Sequence, residues 1–94
     1  MQTQTNNRRN DQQWIESLSW QDPGAIADLR DYLLKGLKKK LSNKAVSSHI
    51  EDFVQDSLIR ILEKLPTFRG ESQFTSWALS IANRIAFSEL RRSR

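Results

Sequence analysis

The sequence contains no cysteine and a single histidine, His49. Disulfides, thiolate metal sites and a cysteine nucleophile are therefore excluded, and one imidazole cannot complete a zinc cage. No apolar run approaches the roughly 18 to 20 residues that span a bilayer. The opening MQTQTNNRRNDQQ also lacks the apolar stretch of a secretory signal. Both absences point to a soluble cytoplasmic protein without membrane contact. There is no phosphate-cradling glycine loop, no dinucleotide fingerprint, no Ser-His-Asp order and no pair of carboxylates flanked by a plausible pocket. The chain is expected not to be an enzyme and to need neither metal nor cofactor. Strand-type alternation and internal repeats are missing too, which leaves helices.

A chain of 94 residues makes one domain at most, and at that size only about 60 to 65% of the unfolded surface is buried, so its core must be economical. Hydrophobic residues at 37% and charged residues at 28% are inside the globular range, so the chain should fold. The net charge of +4 makes an acidic partner such as nucleic acid plausible without establishing it. The distribution of charge is more informative than its total. Residues 84–94 hold Arg84, Arg91, Arg92 and Arg94 against Glu89, whereas residues 51–56 hold Glu51, Asp52 and Asp56 without a cation.

Residues 1–10 are polar, with nothing to bury, and read as a disordered leader before a domain over 11–94. A short helical turn around Trp14, Ile15 and Leu18 follows, capped by Asn10 or Asp11. Asp22-Pro23 is a cleaner start signal, because aspartate supplies the capping oxygen and proline suits the first helical position. Ile26, Leu29, Leu33, Leu37 and Leu41 then recur at three- and four-residue spacing, predicting a long helix that ends near Ser42-Asn43. Ser48 to Glu51 reads as a capping box. Behind it Ile50, Phe53, Val54, Ser57, Ile61 and Leu65 fall on one face, and Pro66 closes that helix. Residues 66–72 form a glycine-containing loop, with Ser72 as the expected cap of a last helix that buries Phe74, Trp77, Ala78, Ile81, Ala82 and Ile85. The expected fold is all-α, a small bundle of three main helices plus a short N-terminal one.

Two surfaces depart from simple amphipathic patterning. Opposite the core face of the second long helix, Asp52, Gln55, Asp56, Ile59 and Glu63 share a stripe. An apolar group among acids resembles a docking patch, with the isoleucine as anchor and the carboxylates selecting a basic partner. Pattern alone leaves this open, since single exposed aliphatics are common and charged stripes are usually only solvated. On the last helix Trp77, Arg84, Ser88 and Arg91 align, flanked by Ser80, Asn83 and Phe87. Arginines neutralise phosphates, Asn and Ser bond base edges, and aromatic faces accept unstacked bases. The preceding loop adds Phe68, Arg69, Gly70, Glu71 and Ser72, whose polar groups can meet the edge of an extruded base. The alternative makes Trp77 a core residue and the arginines helix-end cations favoured by the macrodipole. Lys35, Lys38, Lys39, Lys40 and Lys44 form another basic run, readable as a solvated helix end or as a phosphate contact.

Together, His49 to Asp56, Leu65 to Ser72, Phe74-Thr75-Ser76-Trp77 and Ile81-Ala82 resemble the region-two signature of bacterial RNA polymerase sigma factors of the extracytoplasmic-function group. The likeness covers about residues 23–94. It implies that Asp52, Gln55 and Asp56 bind polymerase core through the clamp helices of its largest subunit, and helix geometry adds Ile59 and Arg60 as flanking contacts. The likeness implies further that Phe68 to Ser72, with Trp77, Asn83 and Arg84, recognise and melt the minus-ten promoter element by gripping the single-stranded nontarget strand. Ser88 and Arg91 join these as expected DNA contacts from their place on the same helix stripe. Departures are Asn83-Arg84, where family members commonly carry Arg-Asn, and Ser88 at a common Asp position. The family's helix-turn-helix domain has no counterpart in this sequence, so the resemblance implies a fragment of a longer protein. Rival readings are a non-specific nucleic-acid-binding domain and a helical protein-interaction module whose partner is another regulator, such as an anti-sigma factor.

Overall fold

The computed structural model describes residues 9–40 and 49–92. Among them are four α-helices and a 3-10 turn, without a strand: α1 (Asp11–Ser19), α2 (Pro23–Lys40), α3 (Ile50–Lys64), the turn Leu65–Thr67, and α4 (Phe74–Arg92). The all-α bundle of three main helices and one short N-terminal helix is thus present. The leader over residues 1–8, Leu41, Lys44, the Ser42-Asn43 stop and the Ser48 cap lie outside the described residues.

The starts of α1 and α2 follow from local chemistry. Asn10 caps α1: its side chain accepts from the Gln13 amide at 2.8 Å, and the Gln13 side chain accepts from the Asn10 amide at 2.9 Å. These two bonds satisfy donors that the first helical turn otherwise leaves unpaired. At α2 the Asp22 carboxylate accepts from the Ala25 amide at 2.9 Å, and Pro23 occupies the first helical position. Helix α3 begins behind His49, which makes no side-chain capping bond. Between α1 and α2 the chain reverses through Gln21, whose φ of 55° lies in the left-handed region that favours glycine.

Among the described residues the core is a single cluster. Trp14 and Leu18 come from α1, Ala25, Leu29, Leu33 and Leu37 from α2, Ile50, Phe53, Val54, Leu58 and Ile61 from α3, and Phe74, Ala78, Ile81, Ala82 and Ala86 from α4, with Leu65 from the connecting turn. The alanines of α4 and Ser57 of α3 are fully buried, so small side chains sit where helices meet closely. The Ser57 hydroxyl donates to the Phe53 carbonyl at 2.6 Å, which satisfies it within its own helix.

Helices α3 and α4 run antiparallel, because His49 and Phe53 at the start of α3 face Leu90 and Arg92 at the end of α4 across one groove. Helices α2 and α4 run the same way: Tyr32 neighbours Gln73 and Thr75, and one turn later Gly36 abuts Leu79. A Cβ at Gly36 would lie 2.7 Å from Leu79 Cδ1. The glycine, which costs helix propensity, is the residue that lets α2 and α4 approach. No helix of the described residues is long and apolar enough to cross a membrane.

Candidate functional site

Helix α3 presents its charged stripe outward. Asp52, Gln55, Asp56, Ile59, Arg60 and Glu63 are all exposed, while Phe53, Val54, Ser57, Leu58 and Ile61 point inward. Ile59 keeps 50% of its surface in solvent. Arg60 lies 3.7 Å from Glu63, one turn along the same helix. Such an exposed pair contributes at most about 1 kcal/mol, so it leaves both side chains available to a partner.

The loop before α4 is held at one end and open at the other. Phe68 is half-buried, set edge-on against Phe74 with ring centres 5.6 Å apart and 5.1 Å from Trp77. Phe74 in turn stacks on Trp14 of α1 at 5.7 Å and packs against Trp77 at 5.5 Å. Phe68 and Trp77 therefore spend part of their surface on each other, and Trp77 is packed at the edge of the core, half-buried. Beyond this anchor Arg69, Gly70, Glu71 and Ser72 are exposed. Gly70 adopts a φ of 78°, which turns the loop back toward α4 and which an L side chain enters only with strain.

The expected cap of α4 needs correction. The Ser72 hydroxyl makes only a long contact, 3.4 Å, donating to the Gln73 carbonyl. The first amide of α4, that of Phe74, donates instead to Asp11 Oδ1 of α1 at 2.9 Å. Helix α4 starts one residue later than a Ser72 cap would place it, with Gln73 supplying the carbonyl that accepts from the Trp77 amide. A cap delivered from 63 residues away leaves no trace in local sequence.

Along α4 the proposed DNA-binding residues separate into two groups. Trp77 belongs to the loop anchor, while Arg84 lies seven residues on, about 10 Å further along the axis. Arg84 and Ser88 line a groove of about 420 Å³ together with Asp56, Ile59 and Arg60 of α3. A second groove of about 630 Å³ continues over Asp52, Phe53 and Asp56 toward Leu90 and Arg92. Asp56 borders both, so part of the acidic stripe of α3 lines the same grooves as Arg84 and Arg92 of α4. Arg91 is exposed beyond these grooves, and Phe87 keeps 45% of its surface in solvent. Asn83 is half-buried, and its Oδ1 is enclosed without a hydrogen-bond partner among the described residues. No group of three or more metal-ligating side chains occurs among the described residues.

The chain matches the family model Sigma-70 region 2 over residues 26–94. It belongs to that family. Neither a curated protein nor a solved structure matches it. The matched span takes in nearly all of α2 and the whole of α3, the loop and α4, and it excludes α1. As a sigma-70 region 2 domain the chain is a non-enzymatic transcription-factor domain that works with RNA polymerase core and promoter DNA. Both surfaces singled out in the sequence lie inside the match. Asp11, which the sequence offers only as a cap for its own helix, lies outside it.

Proposed function

We propose that this sigma region 2 domain is of the extracytoplasmic-function type, acting in the cytoplasm, and that it docks on the clamp helices of the polymerase largest subunit through α3. Asp52, Gln55 and Asp56 choose a basic helical partner, Ile59 anchors it, and Arg60 flanks the contact. The observation that carries this reading is Ile59, an isoleucine half in solvent and walled by Asp56, Arg60 and Glu63. Burying its exposed half contributes about 1 to 1.5 kcal/mol, and the surrounding charges add selectivity more than affinity.

The loop and α4 serve the second task. Phe68 and Trp77 form an aromatic floor, and Arg69, Gly70, Glu71 and Ser72 form the rim that receives a base extruded from the nontarget strand of the minus-ten element. Asn83, Arg84, Ser88 and Arg91 continue that path along α4 with phosphate and base contacts. No covalent chemistry is involved. Contacts to the opened strand offset the few kcal/mol of unstacking that each extruded base costs.

A pull-down of polymerase core, or of its clamp-helix segment, tests this directly. Replacing Asp52 and Asp56 by lysine is expected to abolish capture while single-stranded DNA binding persists. Loss of both activities, or of neither, contradicts the assignment. An anti-sigma factor is a further candidate partner for the same α3 and α4 surfaces, and would compete with the clamp segment for them.

A further inference from the structure

We propose that α1 is a positioning element for the promoter loop, and that Asp11 is its working residue. The inference rests on the strand-binding role given to the loop above, and deepens it. Two contacts tie α1 to the root of that loop, and a third braces it to α2. Asp11 Oδ1 accepts from the Phe74 amide at 2.9 Å. The Trp14 ring stacks on Phe74 at 5.7 Å, beneath the Phe68 and Trp77 rings. Arg9, two residues before α1, lies 5.0 Å from the Trp14 ring centre and pairs with Asp28 of α2. Thus α1 is braced to α2 on one side and to the start of α4 on the other.

Two consequences follow for binding. First, because Asp11 satisfies the first amide of α4, the Ser72 hydroxyl is not engaged in capping. It stays exposed and is free to bond a base edge. Second, the positive end of the α4 dipole already faces a carboxylate. A phosphate brought there would meet an anion, so the ligand chemistry at the loop is the edge of a neutral base, and phosphates are left to the arginines further along α4. Asp11 thereby controls which part of the strand the loop reads.

The test uses the 94-residue chain bound to polymerase core. The probes are single-stranded oligonucleotides that vary one base at a time across a minus-ten-like nontarget strand, with an abasic version at the extruded position. Asp11→Ala is expected to draw Ser72 into the vacant cap and reduce the preference for the best base about tenfold, the scale of one hydrogen bond from Ser72 to a base edge. Affinity for the clamp segment should stay unchanged, and Asp11→Asn, which keeps the acceptor oxygen but not the charge, should recover most of the base preference. Like Asp11→Ala, it should raise affinity for the abasic strand, because a phosphate approaching the α4 amides no longer meets an anion. Retained base preference in Asp11→Ala, or an equal loss on the abasic strand, overturns the proposal. A wild-type chain without any base preference overturns the strand-binding role itself, and this inference with it. Should Asp11→Ala fail to fold, Ser72→Ala decides. It is expected to lower base preference while leaving hydrogen-exchange protection of the Phe74 amide intact, and reduced protection would return the cap to Ser72.

Discussion

Gly70 carries the shape of the loop in one backbone angle. At φ of 78° a side chain is strained, and a Cβ placed there would meet nothing within 4 Å, so the backbone term acts alone. Gly70→Ala is expected to cost about 1 kcal/mol of stability, read from the denaturant midpoint, and to weaken base preference as the loop relaxes. Intact preference would mean that the strand does not read this turn. Ile59 behaves in the opposite way. Being half exposed, it contributes little to the fold, and Ile59→Ala is expected to shift stability by no more than about 0.5 kcal/mol. Clamp-segment affinity should nevertheless fall about tenfold, which corresponds to roughly 1.4 kcal/mol of apolar contact. A titration calorimetry series on this one variant separates an anchor from an incidental surface aliphatic.

At the scale of elements, caps and packed faces decide where helices begin and which way they point. Removing the Asp22 cap of α2 by Asp22→Ala is expected to cost about 1 kcal/mol, because the Ala25 amide loses its acceptor. Leu33→Ala, which empties a fully buried position in the same helix, should cost about 2 to 5 kcal/mol. Urea unfolding followed by circular dichroism measures both. These helices were legible because their signals are local: Asp22-Pro23 marks the start of α2, and the spacing of Ile50, Phe53, Val54, Ser57 and Ile61 marks the buried side of α3 and, by exclusion, its charged side. The start of α4 was not legible. Ser72 satisfies the local rule, yet the bond is made by Asp11, and only tertiary packing of α1 brings the two together. For the same reason the sequence separates the acids of α3 from Arg84 and Ser88 of α4 as two faces, whereas antiparallel packing joins them in one groove. Periodicity reports the direction a side chain takes from its own helix and says nothing of which helix lies opposite.

Taken as a whole, the molecule carries a net charge of +4 whose signs are sorted by element: carboxylates line α3, and lysines and arginines end α2 and α4. Phosphate contacts release counterions, so the overall affinity for single strands should fall steeply with salt. Discrimination between a minus-ten-like strand and a scrambled one should persist, because base edges are read by hydrogen bonds. A merely basic domain would lose strand binding with salt and show no discrimination at any concentration. The central claim is that a single small bundle holds the transcription machinery with α3 and the opened promoter with its loop and α4. The most direct measurement is capture of RNA polymerase core by the wild-type chain and by the Asp56→Lys variant, with nontarget-strand binding recorded on the same samples. Capture lost and strand binding kept is the predicted result; capture undiminished by the charge reversal would contradict it.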